Sequence, residues 1–285
     1  MAPTQRHRWL TRPDNRERRR RAQLRALDVD VARAGFEQAH PGLRFGPVVA
    51  LIAAYHEERN LGEVLKEVPT LVGDLEVSTL VVVDGGTDAT ARVARDAGVA
   101  TAVLPVNLGQ GAALRLGYDL ALDHGARYVV TLDADGQNDP SELGSLLGPL
   151  LDDRADFVIA SRRLGTDRTT DRFRRAGVRC YAGAIEAITG QRLTDTSNGY
   201  RAFRAELLAD VVPSLREDQY QTAEVVITAA RRGWRIAERP TVWYPRASGT
   251  SKKGGNLYFG LQYARAILSA WARSGSRPRT RPGGQ

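Results

Sequence analysis

The chain has 285 residues, a single cysteine, a hydrophobic share of 42% and a formal net charge of +8. This length allows one large α/β domain or two small ones, and one cysteine excludes an intrachain disulfide framework and a cysteine zinc site. The sequence has no run of about 18 apolar residues that would indicate a membrane-spanning helix. Its start, MAPTQRHRW, lacks the apolar core of a signal peptide. We therefore expect a cytoplasmic protein.

The positive charge lies mainly at the two ends of the chain. Residues 1–47 carry 11 arginines against 5 acidic residues, and residues 271–285 carry 4 arginines and no acidic residue, whereas residues 48–270 have a net charge of −2. This distribution argues against nucleic acid as the main partner of the folded body. Basic ends of this kind suit an anionic membrane face, nucleic acid or simple solubility, and the sequence does not choose among these.

The first 47 residues are predicted to form an extension. Residues 1–20 are polar and rich in arginine, so we expect them to be disordered. Residues 21–39 repeat apolar side chains at helical spacing, at Leu24, Leu27, Val31 and Ala34. That pattern predicts a helix, which packs on the folded body or lies on a membrane surface.

From Val48 onward, short apolar runs alternate with amphipathic helical patterns. Predicted strands occupy 48–54, 79–83, 99–104 and 129–132, and a helix follows each of the first three. This alternation implies right-handed crossovers and a parallel sheet whose loops collect at one edge. The fold class is therefore α/β.

The pattern becomes less regular after residue 135. The predicted elements are a helix at 140–151, a strand at 157–161, an Arg-rich loop and a helix ending near 188, helices near 204–212 and 222–232, and a strand at 239–244. The closing segment, 256–272, has interrupted apolar residues at helical spacing, which predicts an amphipathic surface or docking helix. Its apolar positions are Leu257, Leu261, Ala264, Leu268 and Trp271.

The stretch Tyr128–Pro140 carries the most informative polar residues. Its apolar strand delivers Asp133 and Asp135 at the carboxyl end, where an open α/β sheet places its ligand. Two carboxylates in one crevice repel each other, so they require a cation. Oxygen ligands that supply only part of an octahedron suit Mg²⁺ or Mn²⁺, which fill their other positions with water and substrate phosphates. Asp139 is predicted to cap the next helix, with Glu142 as the return arm of a capping box.

Other loops are expected to bring charged side chains to the same edge of the sheet. The carboxylates are Asp84, Asp195 and Glu224, and the cations are Arg162, Arg201, Arg246 and Lys252. The sequence lacks a Walker lysine loop and a G-x-G-x-x-G motif, which excludes P-loop and dinucleotide sites. A metal with flanking cations suits the departure of a diphosphate, because both neutralise the charge that grows on the leaving oxygen.

Most of these residues lie in six motifs that follow one another over about 200 residues, and Arg162 and Glu224 lie between them. The motifs are AAYHEERNL (53–61), DGGTDAT (84–90), NLGQGAALRLG (107–117), DADGQNDP (133–140), DTSNGYRAF (195–203) and RASGTSKK (246–253). In this order they make Val48–Lys252 resemble the inverting glycosyltransferases of family 2, and most closely their polyprenyl-phosphate (dolichyl-phosphate) hexosyltransferase branch. The resemblance implies a GT-A fold, with a Rossmann-like, mostly parallel sheet flanked by helices, over 48–254. A basic extension, 1–47, precedes this domain, and an amphipathic helix with a basic tail, 255–285, follows it.

The resemblance implies a metal-dependent transfer of a hexose from a GDP- or UDP-sugar to polyprenyl phosphate, with Mg²⁺ or Mn²⁺ as the cofactor. It assigns nucleotide binding to Ala53, Tyr55, Glu57, Asp84 and Asp133, and metal binding to Asp135 and Gln137. It assigns phosphate and acceptor binding to Arg162, Arg201, Arg246, Ser251 and Lys252, and catalysis to Asp133, Asp135, Asp195 and Glu224.

The sequence departs from the family pattern at several points. His56 stands where the family has asparagine, Val83 replaces one of a pair of aspartates, and Gln110 replaces a lysine. The first two departures leave the choice of nucleotide base open, and the third removes a cation near the nucleotide. The C-terminal pair of transmembrane helices that is frequent in this branch is absent, which favours a soluble acceptor over a lipid.

Three functions remain open at this point. The first is transfer to polyprenyl phosphate by a cytoplasmic protein in peripheral contact with the anionic inner face of the membrane. The second is the same donor chemistry on a soluble hydroxyl acceptor, such as a small metabolite or a polysaccharide precursor. The third is a non-catalytic protein that binds a nucleotide sugar or nucleic acid.

The acceptor determines whether the site needs a general base. A lipid phosphate is already largely anionic at neutral pH and needs none, whereas a hydroxyl acceptor needs one. The candidate bases are Asp195, Asp218 and Glu224, and the sequence does not choose among them.

Overall fold

A computed structural model describes residues 15–169, 172–246 and 256–273 of the chain. Within these residues the chain forms an eight-stranded sheet with helices packed on both faces. The strands are β1 (Val48–Ala54), β2 (Leu71–Val72), β3 (Leu75–Val83), β4 (Ala100–Val103), β5 (Tyr128–Asp133), β6 (Phe157–Asp167), β7 (Arg201–Arg204) and β8 (Ile236–Trp243). The α-helices are α1 (Asn15–Ala39), α2 (Leu61–Glu67), α3 (Thr90–Asp96), α4 (Gln110–Asp123), α5 (Leu143–Leu151), α6 (Arg172–Thr189), α7 (Ala205–Val211), α8 (Gln221–Arg231) and α9 (Asn256–Arg273). Short 3₁₀-helices, Pro140–Glu142 and Val212–Ser214, precede α5 and follow α7.

The sheet is mostly parallel. Its order is β2-β3-β1-β5-β7-β6-β8, and β4 pairs with β3. β1 pairs in parallel with β3 and β5, β3 with β4, and β6 with β8. The short β2 runs antiparallel to β3, and β7 runs antiparallel between β5 and β6. The four strands predicted before residue 135 are therefore confirmed as parallel neighbours.

The second half of the sheet departs from the prediction at two strands. β7 is only four residues long and leads directly into α7, and the sequence pattern had assigned its residues to a loop and a helix start. β6 continues beyond residue 161 to Asp167, because its distal part pairs with β8 after a register shift between Ser161 and Thr166. The reversed strand β7 joins the parallel half of the sheet to the β6–β8 pair.

The two faces of the sheet carry separate hydrophobic clusters. On β1, Val49 and Leu51 belong to the cluster that includes α1, α4, α7, α8 and α9. Val48 and Ile52 belong to the other cluster, with α2, α3 and α5. All four side chains are completely buried. A strand buried on both faces has a continuous apolar sequence, which explains why VVALIAA is recognisable as a strand.

The described part of the N-terminal extension is helical and joins the folded body. α1 starts at Asn15, although disorder was predicted for residues 1–20, and residues 1–14 lie outside the described part of the chain. Ala32 and Phe36 are buried in the same cluster as α4 and β4. Of the two arrangements considered for this helix, its described residues show packing on the folded body.

The apolar stripe predicted for α1 faces the solvent. Leu24, Leu27 and Val31 are exposed, whereas the opposite side of the helix carries the buried Ala32 and Phe36. The helix thus has apolar residues on two sides. Periodicity identifies such a stripe, but it does not identify the surface that covers the stripe.

Helix α9 shows the same reversal. Its buried side carries Tyr263, Ile267 and Ala270, while Leu268 and Trp271 of the predicted stripe are exposed. The helix packs on α8 and α6 through a face that the sequence pattern did not identify. Across the described ranges, no helix combines the length and the apolar character that a membrane span requires.

The turn after β5 contains the predicted cap but not the predicted capping box. The Asp139 side chain accepts a hydrogen bond from Ser141 N at 2.9 Å. Glu142 accepts hydrogen bonds from Thr241 Oγ1 and, at 3.1 Å, from Val242 N. Both partners lie on β8, so Glu142 ties the start of α5 to that strand instead of returning to its own helix.

The burial of Phe36 predicts that Phe36→Ala destabilises the whole protein. Because the side chain is only 1% exposed, we expect the free energy of unfolding to fall by about 3–5 kcal/mol, measured by urea denaturation. Leu27→Ala, on the exposed side of the same helix, is the control and should change that free energy by no more than about 0.5 kcal/mol. Small effects for both variants would show that α1 does not contribute to the core.

Candidate active site

Parallel pairing brings three strand ends to one edge of the sheet. In the register of β1, Ala53 pairs with Val82 of β3 and with Asp133 of β5. Asp84 follows β3 directly, and its backbone N–H donates to Ala54 O at 2.8 Å. The residues Ala53, Asp84 and Asp133, all predicted for nucleotide binding, are therefore neighbours along this edge.

A crevice lies beside Asp133 at this edge. The residues that line it include Ala53, Gln110, Asp133, Gly199, Arg201 and Gln221. The Asp133 carboxylate accepts a hydrogen bond from Gln110 Nε2 at 3.2 Å. A side chain at Gly199 would crowd this carboxylate, because a Cβ there would lie 3.0 Å from Asp133 Oδ1. Gln110 stands where the resemblance expects a lysine, so this position presents an uncharged amide to Asp133.

Asp84 anchors the loop that precedes α4. Its buried carboxylate accepts hydrogen bonds from Leu108 N at 2.7 Å, Gly109 N at 2.9 Å and Asn107 Nδ2 at 3.1 Å. Burial raises the pKa of this carboxyl to about 6, although the backbone hydrogen bonds favour the charged form. Through these contacts Asp84 fixes the start of α4, and with it Gln110.

A second cluster surrounds Asp135. Arg246 bridges two carboxylates, since its Nη2 lies 2.6 Å from Asp135 Oδ2 and its Nη1 lies 3.0 Å from Glu57 Oε1. Asp135 Oδ1 accepts a hydrogen bond from Gln137 N at 3.1 Å, and Gln137 Nε2 donates to Tyr244 O at 3.1 Å. Four predicted site residues, Glu57, Asp135, Gln137 and Arg246, are thus brought together.

This cluster fits a divalent metal ion that the protein coordinates only in part. Asp135 offers the remaining lone pairs of its carboxylate oxygens, which also accept from Arg246 and Gln137 N. Gln137, whose amide nitrogen is engaged, offers its amide oxygen. Both are hard oxygen ligands of the kind that Mg²⁺ and Mn²⁺ prefer. Among the residues that the structure describes, no group of three or more His, Cys, Asp or Glu side chains could enclose a metal. An ion at Asp135 therefore needs further ligands from water or a bound phosphate.

Asp195 forms a buried ion pair. Its carboxylate accepts hydrogen bonds from Arg162 Nε at 2.6 Å and from Arg162 Nη2 at 2.7 Å, and its side chain is completely buried. Burial alone would raise the pKa of Asp195, but the hydrogen bonds and the charge of Arg162 outweigh burial and lower the pKa. An ionised carboxylate held by a guanidinium is a poor base, so this geometry does not support the catalytic role expected for Asp195.

Two residues that the sequence analysis missed hold this ion pair in place. The guanidinium carbon of Arg162 lies 4.9 Å from the ring centroid of Trp243. Glu238 accepts hydrogen bonds from Thr194 N at 2.8 Å and from Asp195 N at 2.9 Å. Both Trp243 and Glu238 belong to β8, and no motif in that strand distinguishes them from ordinary strand residues.

Glu224 and Asp218 are also engaged by donors. Glu224 accepts hydrogen bonds from two backbone N–H groups of the preceding loop at 2.9 Å and from Arg273 Nη2 at 2.8 Å. It is buried and is not among the residues that line the crevice. Asp218 pairs with Arg115, at 2.6 Å, and with Arg25. The structure therefore gives Glu224 a role in fixing a loop, where catalysis was predicted.

The remaining predicted site residues differ in their surroundings. Arg201 lines the crevice, and its guanidinium donates to three backbone carbonyl groups at 2.6–2.8 Å. Burial lowers the pKa of this guanidinium.

Tyr55 is partly exposed, and its ring contacts that of His56 at a centroid distance of 4.4 Å. Ser251 and Lys252 lie outside the described residues.

Solved structures show the fold class of this chain. Glucosyl-3-phosphoglycerate synthase from Mycobacterium tuberculosis, in complex with Mn²⁺, UDP and glucosyl-3-phosphoglycerate, matches with a TM-score of 0.63 and 23% identity, covering 85% of this chain and 84% of that one. A second structure of that protein, with Mn²⁺ and UDP-glucose, also has a TM-score of 0.63, at 22% identity. The match confirms the predicted GT-A fold, with a mostly parallel sheet flanked by helices.

The family follows from the sequence. The model described as glycosyl transferase family 2 matches residues 49–212, which is more than half of the chain. The chain therefore belongs to glycosyl transferase family 2 and is a glycosyltransferase, as the six motifs predicted.

Curated relatives confirm the resemblance to the polyprenyl-phosphate branch. The dolichyl-phosphate hexose transferase of Haloferax volcanii is 33% identical over 207 residues, which cover 72% of this chain and 86% of the relative. The undecaprenyl-phosphate mannosyltransferase of Micrococcus luteus is 31% identical over 219 residues, with 74% and 88% covered. The polyprenol monophosphomannose synthase of Mycolicibacterium smegmatis is 29% identical over 249 residues, with 82% and 89% covered.

The raised pKa of Asp84 predicts a pH dependence of stability. The folded state holds the proton up to a pH of about 6, whereas the unfolded chain releases it near 3.8. The contribution of this group to the free energy of unfolding therefore falls as the pH rises from about 4 to about 6, and it levels off above that range. Relative to Asp84→Asn, which cannot titrate, the wild type should lose stability over this window in urea denaturation.

The control for this measurement is Asp96→Asn, an exposed aspartate on α3. This variant removes a surface carboxylate without touching Asp84, so it measures the effect of the charge change alone. A pH-independent difference between the wild type and Asp84→Asn would contradict the predicted titration.

Proposed function

We propose that the protein is an inverting, metal-dependent hexosyltransferase that moves a sugar from a GDP- or UDP-sugar to polyprenyl phosphate. The observation that carries this proposal is that each of the three carboxylates considered as a general base is paired with an arginine. Asp195, Asp218 and Glu224 are each engaged by an arginine side chain. Such a site suits an acceptor that needs no deprotonation. The relatives named above include a dolichyl-phosphate and an undecaprenyl-phosphate sugar transferase, which supports the same choice.

The sugar donor would lie along the edge formed by β1, β3 and β5. Base and ribose would contact Ala53, Tyr55, Glu57 and Asp84, and Asp133 would contact the ribose or the diphosphate. Because three donors already occupy the Asp84 carboxylate, we expect this residue also to act on the nucleotide indirectly, by holding the loop at 107–109 in place.

The diphosphate would lie beside the Asp135 cluster. Asp135 and Gln137 would hold Mg²⁺ or Mn²⁺, and the ion would supply Lewis-acid stabilisation of the charge on the diphosphate. The cations proposed to flank the phosphates of donor and acceptor are Arg162, Arg201, Arg246 and Lys252, with the Ser251 hydroxyl as a further donor. Arg162 is oriented for this role by its two hydrogen bonds to Asp195, so Asp195 acts on the reaction as a positioning residue.

The proposed reaction is an in-line displacement at the anomeric carbon. A phosphate oxygen of the acceptor attacks this carbon from the side opposite the diphosphate, and the bond to the diphosphate oxygen breaks as the new C–O bond forms. The configuration inverts, and the nucleoside diphosphate leaves with the electron pair. The second pKa of the acceptor phosphate is about 6, so at neutral pH its attacking oxygen carries no proton for the protein to remove.

The choice of acceptor can be tested with a matched pair of lipids. We expect the enzyme, supplied with a panel of UDP- and GDP-sugars and with Mg²⁺ or Mn²⁺, to glycosylate a short polyprenyl phosphate but not the polyprenol of the same chain length. Products are identified by mass spectrometry. Transfer to a hydroxyl acceptor without transfer to the phosphate would replace this proposal with the soluble-acceptor function, and binding of donor without any turnover would favour a non-catalytic protein.

The metal role of Asp135 is testable by Asp135→Asn. Loss of a direct ligand should cost more than the 10–100-fold that loss of an outer-shell partner costs in metal affinity or activity. The measurements are Mn²⁺ titration in the presence of UDP or GDP, by calorimetry, and turnover of the preferred donor. Asp139→Asn, in the same turn but with its carboxylate on Ser141, is the control for the charge change. Unaltered Mn²⁺ affinity in Asp135→Asn would rule out the assigned ligand.

A further inference from the structure

We infer that α1 and α9 form a surface that docks the protein on an anionic lipid bilayer. On α1, Leu24, Leu27 and Val31 have exposed fractions of 52%, 57% and 52%. Their spacing of three and four residues places them on one face of the helix. This face lies opposite the side on which Ala32 and Phe36 enter the core, so the body of the protein cannot cover it.

The exposure is concentrated in the first turns of α1. Every described side chain between residues 16 and 27 is exposed, and burial begins only as the helix approaches Ala32. The leucines on one side of this segment are therefore in contact with water and are not covered by the body. Contiguous apolar side chains framed by charged ones are typical of an interaction site.

The positive charge next to the exposed apolar face of α1 indicates which kind of partner this face binds. Arg16 and Arg20 continue the line of Leu24 toward the N-terminus and are exposed. Residues 1–21 contain 8 arginines and 2 acidic residues. Apolar side chains that run into a strongly basic segment suit the interface of a bilayer with anionic lipids, which takes up both. Nucleic acid would use the arginines alone, and a second copy of the chain would bring two basic segments together.

Helix α9 provides an independent observation of the same kind. Leu268 and Trp271, one turn apart, have exposed fractions of 61% and 50%, while the other side of the helix is buried on α8. Tryptophan is enriched at membrane–water interfaces, where its ring is partly apolar and partly hydrated. In the sequence, residues 271–285 add four arginines and no acidic residue.

The two helices are attached to one loop beside the crevice. Arg25 of α1 pairs with Asp218, and Arg273 of α9 pairs with Glu217 at 2.8 Å. The carbonyl of Asp218 in turn accepts a hydrogen bond from Gly111 N at 2.8 Å, next to Gln110 at the crevice. A bilayer bound by these helices would thus lie close to the site that takes a lipid-linked acceptor. This last step rests on the proposed function, whereas the docking itself does not.

The docking surface is tested with vesicles, independently of activity. We expect the full chain to co-sediment with vesicles of phosphatidylcholine and phosphatidylglycerol in equal parts, and much less with phosphatidylcholine alone. The double variant Leu24→Gln and Leu27→Gln should lower the affinity about tenfold or more, because two leucines no longer enter the acyl region. Arg19→Gln and Arg20→Gln should lower it about fivefold per arginine. The control, Leu71→Gln with Leu151→Gln, removes two exposed leucines elsewhere and should bind like the wild type.

Several outcomes would overturn the inference. Equal vesicle binding by the wild type and the Leu24/Leu27 double variant would remove the stripe from the interface. Binding to duplex DNA without binding to vesicles would assign the surface to nucleic acid. Concentration-dependent self-association that the double variant abolishes, again without vesicle binding, would assign it to a second copy of the chain.

A second measurement separates this inference from the proposed function. The double variant should retain the wild-type rate on a short polyprenyl phosphate in solution and lose rate on a long-chain acceptor embedded in anionic vesicles. A loss on both substrates would contradict a pure docking role for the two leucines. If the wild type uses neither acceptor but its vesicle binding still depends on Leu24 and Leu27, the proposed function fails while the docking surface stands.

Discussion

The register between β1 and its two parallel neighbours determines where every part of the site can lie. Ala53, Asp84 and Asp133 come from three separate segments, and they meet because parallel strands end at the same edge. A slip of one residue in β5 would turn Asp133 to the opposite face of the sheet. Val129, Val130 and Leu132 of β5 are buried in close packing on the two faces of the sheet, so such a slip would be costly. The hydrophobic core therefore fixes the chemistry of the edge.

The carboxylates around this edge differ in their hydrogen-bond and ion-pair partners, and these partners indicate which carboxylates support the fold and which face the crevice. Asp195 is neutralised by Arg162, and Asp84 is occupied by backbone and side-chain N–H groups of one loop. Asp133 accepts from the uncharged amide of Gln110 at the crevice. Asp135 shares Arg246 with a second carboxylate. This difference in partners supports the proposal that Asp133 and Asp135, at the end of β5, meet the ligand.

The features that could be predicted from the sequence are those that depend on neighbouring residues in the chain. The strands at 48–54 and 129–132 are apolar throughout because both faces are covered, and the motifs at their ends locate the crevice. β7 could not be predicted, because a four-residue strand exists only through its two distant partners. The partners of buried acids are hidden for the same reason: Asp195 meets an arginine 33 positions away, and Glu224 meets one 49 positions away. A buried carboxylate needs a hydrogen-bond donor, but only the folded structure shows which residue supplies that donor.

The loop residues Glu217 and Asp218 receive one arginine from each terminal helix. The same loop covers the start of α4, where a Cβ at Gly111 would lie 2.2 Å from Glu217 O. Both terminal helices are therefore connected through this loop to Gln221 at the crevice. For this enzyme we expect a purification tag at either terminus to influence the kinetic constants. Preparations with different tags should therefore be compared only after the tags have been removed.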